Sequence, residues 1–178
     1  MTLHAFADPE RFVTGTVGPP GQRVFFLQAH DGKRTTSVAL EKEQVRILAE
    51  RLDAMLDLLL RRGVSGAPIP AVAEPSDKDA EPLSAPVEED FRAAVLRIAW
   101  DGEAQRVLIE VASEPADDDE EELSGDILSV RLSGRKARAF VARAESVIAA
   151  GRPPCPFCTL PLDPEGHICP RSNGYRRR

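Results

Sequence analysis

The chain has 178 residues, a formal net charge of −6 at neutral pH and only 5% aromatic residues. This length supports one sizeable hydrophobic core or two small ones, and the core must be built mainly from aliphatic side chains. The acidic balance argues against general nucleic-acid binding, which needs a broad basic surface, and no apolar run is long enough to span a bilayer.

The first part of the chain predicts three strands followed by a helix. Residues 1–10 are expected to be a short lead-in. Strands are predicted at 11–17, 23–29 and 34–40, separated by a Gly-Pro turn and by an Asp-Gly hairpin turn. A helix is predicted over 41–62, because apolar residues recur there at helical spacing. The apolar stripe consists of Val45, Leu48, Leu52, Met55, Leu56 and Leu59.

Residues 64–88 differ in composition from the segments on either side. They are rich in alanine, proline, serine and acidic residues and show little periodicity, which is typical of an extended linker. The linker separates a first unit, residues 1–63, from a second unit, residues 89–151. The last segment, residues 152–178, contains all three cysteines and forms a small unit of its own.

The second unit repeats the pattern of the first. Strands are predicted at 91–100, 106–112 and 126–132. A helix is predicted from Ser133, a favourable N-cap residue, to Ala150. The acidic loop at 114–124 contains six consecutive acids, which we interpret as solvated or as a contact for a basic partner.

The two units align with each other along the sequence. Residues 22–24 match 105–107, and residues 37–40 match 129–132. The offset between residues 37–40 and 129–132 then continues unchanged through both helical stripes. Any two strand–helix units share some patterning, but the common order and spacing favour an internal duplication. Two βββα units predict an α+β fold with a mostly antiparallel six-stranded sheet and both helices on one face.

A cluster of metal-ligand residues lies near the C-terminus. Cys155 and Cys158 are separated by two residues, and His167 and Cys169 by one. The segment between the two pairs contains two prolines, an aspartate and a glycine, which favour a reversing loop. Zinc prefers four such ligands in a tetrahedron, and Cys3His is a standard structural set. The spacing therefore predicts a closed structural zinc site, a zinc knuckle.

Three other interpretations of these residues are open. A redox Cys-x-x-Cys pair normally begins a helix, which Pro153, Pro154 and Pro156 disfavour. A disulfide would leave one cysteine over, and the absence of a secretion signal favours a reducing, cytoplasmic compartment. A zinc deaminase also needs an upstream His-x-Glu, and neither His4 nor His30 begins one.

No catalytic set and no other cofactor site can be assembled from the sequence. With His167 assigned to the metal, only His4 and His30 remain, and both lie near a turn or the terminus. The early glycines precede a strand and form no dinucleotide-binding motif. Catalytic residues are therefore not predicted, and a non-enzymatic protein is favoured.

The end of the chain is basic in contrast to the acidic body. The last eight residues hold four arginines and no acid. Tyr175, Arg176, Arg177 and Arg178 form either a solvated tail or a docking site for a protein or a phosphate-bearing partner.

The C-terminal motifs also carry a family resemblance. Residues 151–158, 162–171 and 173–177 contain Cys-Pro-x-Cys and Gly-His-x-Cys-Pro-Arg-x-Asn-Gly-Tyr-Arg-Arg. They resemble the C-terminus of an uncharacterised actinobacterial family that is classed as a domain of unknown function, and the likeness extends over the whole chain. Thr159 departs from the family pattern, which has glycine there. The resemblance implies an intracellular metal site and supplies no reaction.

Three functions are compatible with these features. The favoured one is a non-enzymatic adaptor or regulatory protein with structural zinc and a protein partner. An enzyme with a small-molecule pocket between the two units is the first alternative. A nucleic-acid-binding knuckle is the second, although the acidic body opposes it.

Overall fold

The computed structural model describes residues 1–19, 21–32, 34–64, 68–115, 123–151, 154–162 and 166–171. Within these ranges the chain forms eight strands, two α-helices and one 3-10 turn at Pro75–Asp77. The strands are β1 (Leu3–Phe6), β2 (Arg11–Val17), β3 (Val24–Asp31), β4 (Arg34–Leu40), β5 (Phe91–Arg92), β6 (Val95–Asp101), β7 (Arg106–Glu114) and β8 (Ser124–Leu132). The helices are α1 (Lys42–Arg61) and α2 (Gly134–Ala149).

The prediction of one six-stranded antiparallel sheet is wrong. The described strands form two four-stranded mixed sheets, in the orders β1-β8-β7-β6 and β2-β3-β4-β5. Three strands of each sheet are antiparallel neighbours from one half of the chain, and the fourth comes from the other half and pairs in parallel. Each half of the chain therefore supplies the fourth strand of the sheet that the other half forms.

The two strands that join the sheet of the other half, β1 and β5, were not predicted as separate strands from the sequence. Residues 1–10 were expected to be a lead-in, but Leu3–Phe6 pairs with β8 and buries Phe6. The strand predicted at 91–100 is two strands in different sheets. The amide of Ala93 donates to Ala39 O at 2.9 Å, and the next amide, of Ala94, donates to Ala112 O at 2.8 Å. The chain therefore changes sheets between two consecutive residues.

Both helices begin at recognisable capping residues, and α1 also ends at one. Glu41 precedes α1, and its amide donates to the side chain of Gln44 at 2.9 Å. Gly63 follows α1 with φ +60, a left-handed conformation that glycine adopts without strain. The Ser133 hydroxyl oxygen accepts from the amide of Lys136, as expected of an N-cap. The helix ends are thus specified by local sequence.

The two helices share one hydrophobic core with both sheets. α1 and α2 pack on each other, α1 contacts β3 and β6, and α2 contacts β2, β7 and β8. Five residues of the predicted α1 stripe are buried and Met55 is partly buried. Phe140 of α2 stacks on Phe12 of β2 with ring centroids 4.9 Å apart. Among the described residues, neither helix combines the length and apolarity needed to cross a bilayer.

The segment predicted to be a linker lies against the folded body in its described part. Ile69 is buried, and its side chain approaches Gly134 so closely that a Cβ there would lie 2.7 Å from Ile69 Cγ1. The amide side chain of Gln28 forms two hydrogen bonds with the backbone of Ser84, at 2.7 and 3.0 Å. These contacts hold the segment against α2 and β3.

Candidate metal centre

The C-terminal clip consists of the described residues 154–162 and 166–171. Its first arm is a tight turn in which the amide of Cys155 donates to Leu160 O at 2.8 Å and the amide of Thr159 donates to Cys155 O at 2.9 Å. Pro154 and Pro161 form an isolated antiparallel bridge at the base of this turn. The turn brings Cys155 and Cys158 to the same side, where the second arm returns.

The four residues predicted as metal ligands come together in the clip. The ligand atoms of Cys155, Cys158, His167 and Cys169 all lie within 4.8 Å of one another, and this cluster could bind a metal ion. The Sγ atoms of Cys155 and Cys169 are 3.8 Å apart, and Cys158 Sγ lies 3.2 Å from His167 Nε2. Cys155 and Cys169 are buried, whereas Cys158 and His167 are partly exposed. All three cysteines are free thiols.

The thiols differ in their electrostatic environments. Burial disfavours the Cys155 thiolate, but hydrogen bonds from the amides of Phe157 and Cys158 and from the thiols of Cys158 and Cys169 together outweigh this effect and lower the pKa of Cys155. Burial and the neighbouring thiols of Cys169 and Cys155 raise the pKa of Cys158. Three thiolates so close together repel one another, and a bound cation would remove this repulsion. The cluster therefore favours a cation as the group that lets all three sulfurs ionise.

The orientation of His167 assigns its ligand nitrogen. Nε2 faces the sulfurs, while Nδ1 is buried and has no hydrogen-bond partner among the described residues. A metal-ligating imidazole normally donates its other N–H to a carbonyl, carboxylate or water. Nε2 is thus the nitrogen available to a metal ion. Nδ1 is the nitrogen whose N–H would donate a hydrogen bond that orients the ring.

Thr159 adopts a backbone conformation that suits glycine. Its φ is 63, which is rare for a β-branched residue, and it closes the turn around Cys155 and Cys158. Its hydroxyl donates to Cys158 O at 2.6 Å, a local bond that accompanies this conformation. Thr159 is also the position at which the resemblance to the family pattern fails. The strained residue therefore lies in the turn that carries two of the predicted ligand residues, Cys155 and Cys158.

Replacing Thr159 with glycine is expected to tighten metal binding. Removing the β-branched side chain relieves about 1 kcal/mol of strain, which corresponds to roughly fivefold in affinity. The affinity is measured by competition with a chelator of known zinc constant.

Gly166→Ala is the matched control for this change. Gly166 has φ +87, and a Cβ there would meet no atom of the described residues within 4 Å. This variant introduces the same kind of strain into open space and should weaken binding. Weaker binding by Thr159→Gly would contradict the assignment of strain to this turn.

A second feature is a cavity of about 280 Å³ between the two halves of the chain. Its walls come from β2, from the first turns of α2 and from the segment around Asp77 and Asp79. The stacked rings of Phe12 and Phe140 form part of its lining. Such a cavity lies where the alternative function, small-molecule binding between the units, would place a site.

The charged groups around this cavity bind one another. Arg11 Nη2 donates to Asp79 Oδ1 at 2.9 Å, and Arg143 donates to the same oxygen at 3.2 Å and to Thr14 O at 3.0 Å. The hydrogen bond from Arg11 holds the pKa of Asp79 below its usual range. Arg135 pairs with Asp77. These arginines hold the segment 74–84 against β2 and α2. Sequence reasoning did not identify them, because their partners lie 58 to 68 residues away.

The remaining predicted residues lie elsewhere. The Nδ1 atoms of His4 and His30 lie 3.1 and 2.8 Å from the hydroxyls of Thr36 and Thr35 on β4. The proposed docking residues Tyr175, Arg176, Arg177 and Arg178 lie outside the described residues, as does most of the acidic loop.

Comparison with known proteins adds one match. No curated protein and no solved structure matches the chain. A family described as "Protein of unknown function (DUF3090)" matches residues 4–169, a range that includes both helices, every strand except the first residue of β1, and all four residues of the metal-ligand cluster. The chain therefore belongs to the DUF3090 family.

Proposed function

We propose that this protein is a non-enzymatic adaptor or regulatory protein whose C-terminal clip is held together by a structural zinc ion. The observation that carries the proposal is the convergence of three sulfurs and one imidazole nitrogen within 4.8 Å. Cys155, Cys158, His167 and Cys169 would each supply one ligand.

The ligand set and its geometry suit zinc. Soft thiolates select zinc over calcium or magnesium, which prefer oxygen. Two sulfurs that each lie 2.3 Å from one tetrahedral ion are about 3.8 Å apart, and the Sγ atoms of Cys155 and Cys169 have this separation. Four protein ligands leave no open position for water or substrate. The metal would therefore stabilise the clip and take no part in a reaction.

The clip exposes three of its large apolar side chains. Phe157 is 61% exposed, Leu160 52% and Ile168 83%. A segment this short has no core of its own, and a metal ion can replace one. Its apolar side chains are then available to a partner, and such exposed groups mark interaction sites. The basic tail follows immediately in the sequence, so apolar and cationic contacts could act together.

The thiolate ligands also support the cytoplasm as the compartment. Free cysteines persist in reducing surroundings, and three free thiols in one cluster would be prone to oxidation outside them. We therefore place the adaptor function in the cytoplasm, with a protein as its partner.

The test is affinity capture of partners from the native host with the clip altered. The bait carries Phe157→Ser and Ile168→Ser, and its zinc content is measured to show that the cluster is intact. Val72→Ser is the matched control, because Val72 is 74% exposed and belongs to the segment 68–90 of the body. A second bait lacks residues 173–178, which removes most of the basic tail.

A specific protein that binds the unaltered chain and the Val72→Ser control, but not the clip variant, would support the adaptor function. Loss on truncation would assign part of the contact to the tail. If every bait captures the same proteins, or none, the adaptor proposal is wrong and small-molecule binding at the cavity between the halves would take its place.

A further inference from the structure

Among the described residues, no strand lies beside the outer edge of β6. β6 is the last strand of its sheet, spans seven residues and forms no backbone hydrogen bond on its outer side among the described residues. The other described edges are short or covered. β1 has four residues, β5 has two, and on β2 Arg143 binds Thr14 O while Leu83 lies against Gly15. Open edges of this length invite pairing, and natural proteins usually block or cover them.

The apolar face of β6 is only partly buried. Leu96, Ile98 and Trp100 pack against the core but remain half-buried, whereas their partners on β7, Val111, Ile109 and Val107, are fully buried. A groove of about 350 Å³ runs between this strand and α1. An additional strand beside β6 would extend the sheet and complete the burial of these three side chains.

We propose that β6 of one chain pairs antiparallel with β6 of a second copy, around a twofold axis at Ala99. This register places Ile98 opposite Trp100 of the other copy, twice, and Arg97 opposite Asp101, twice. Aromatic–aliphatic pairs and opposite charges are the favourable cross-strand neighbours. Ala99, small and exposed, would lie at the axis. The sheet β1-β8-β7-β6 of one copy and the same sheet of the second copy would form one continuous eight-stranded sheet.

The charge pattern favours a second copy over an unrelated strand. Arg97 and Asp101 lie four residues apart on β6. When two copies of this strand pair antiparallel, the cation of each copy lies opposite the anion of the other, so a twofold contact supplies a partner for both charges. A register centred on Ile98 would instead set Arg97 opposite Ala99 and Asp101 opposite Val95.

The groups that would form the new ion pairs keep their contacts within the chain. Arg97 has an interaction within its own chain, and a guanidinium carries five N–H donors, enough to bind a carboxylate of the second copy as well. Asp101 Oδ1 accepts from the amides of Glu103 and Ala104, at 3.1 and 2.9 Å, and Oδ2 can accept from the second copy.

The experiment uses charge reversal in the full-length protein. Arg97→Asp and Asp101→Arg each place like charges opposite each other at both ends of the strand pair. Sedimentation equilibrium should show a dimer for the unaltered protein and a dimer dissociation constant at least tenfold higher for either variant. An equimolar mixture of the two variants restores both opposite-charge pairs, and it should sediment as a heterodimer. This rescue also shows that each variant is folded.

Arg131→Asp is the matched control, because Arg131 is exposed on the central strand β8 of the same sheet. It should leave the dimer unchanged. Trp100 is the single tryptophan of the chain, so its fluorescence should shift to the red on dilution as the dimer dissociates. A monomer at all concentrations, or variants that dimerise as well as the unaltered protein, would overturn the proposal. Failure of the mixture to dimerise would overturn the register.

Discussion

Replacing Cys158 with serine is expected to reduce the zinc content from about one ion per chain to almost none. A serine hydroxyl is a poor substitute for a thiolate, and three remaining ligands would leave the ion exposed to solvent and chelators. Structural zinc sites carry apparent binding free energies of roughly 10–16 kcal/mol, and this energy is folding energy for a segment without a core. The clip should therefore unfold, while the two sheets and the helices stay intact.

The metal content is measured by elemental analysis, and the local unfolding by hydrogen exchange of the amides of residues 154–171. The thermal transition of the body should remain at its original temperature. Ile168→Ser serves as the control, because Ile168 is 83% exposed and lies between His167 and Cys169 without being a ligand residue. Full zinc occupancy in Cys158→Ser would refute the ligand assignment. Loss of zinc from Ile168→Ser would show that the clip tolerates no change at all.

Replacing Phe140 with alanine is expected to destabilise the body by about 3–5 kcal/mol. Phe140 is 2% exposed, stacks on Phe12 and joins α2 to β2, so its removal leaves a cavity at the contact between the two halves. A loss of this size is a large part of the 5–15 kcal/mol by which typical domains are stable. The free energy of unfolding is measured by urea titration.

Phe157→Ala makes the same chemical change at an exposed position. Phe157 is 61% exposed on the clip, and its truncation should alter the free energy of unfolding by less than about 0.5 kcal/mol. The zinc content of this variant should remain that of the unaltered protein. A loss at Phe140 no larger than that at Phe157 would mean that the contact between α2 and β2 does not hold the halves together.

The parts of the fold that the sequence predicted are those with a local signal. The stripe of α1, the N-cap at Ser133 and the antiparallel strand pairs all depend on residues close together in the chain. The same holds for the metal-ligand cluster, because its four residues fall between 155 and 169 and the turn that joins them is built from their own neighbours. The spacing of these four residues in the sequence was therefore sufficient to predict that they lie close together.

The arrangement of the two halves was decided by tertiary structure. Apolar periodicity indicates that a strand buries one face, but it does not name the neighbour across its edge. The parallel pairs β1 with β8 and β4 with β5 join residues 124 and 53 apart, so no turn specifies them. The ion pairs of Arg11, Arg135 and Arg143 with the segment 74–84 likewise join residues 61 to 68 apart. Local residues thus determined the two helices, the antiparallel strands and the metal-ligand cluster, while only long-range packing could decide which half supplies each sheet with its fourth strand.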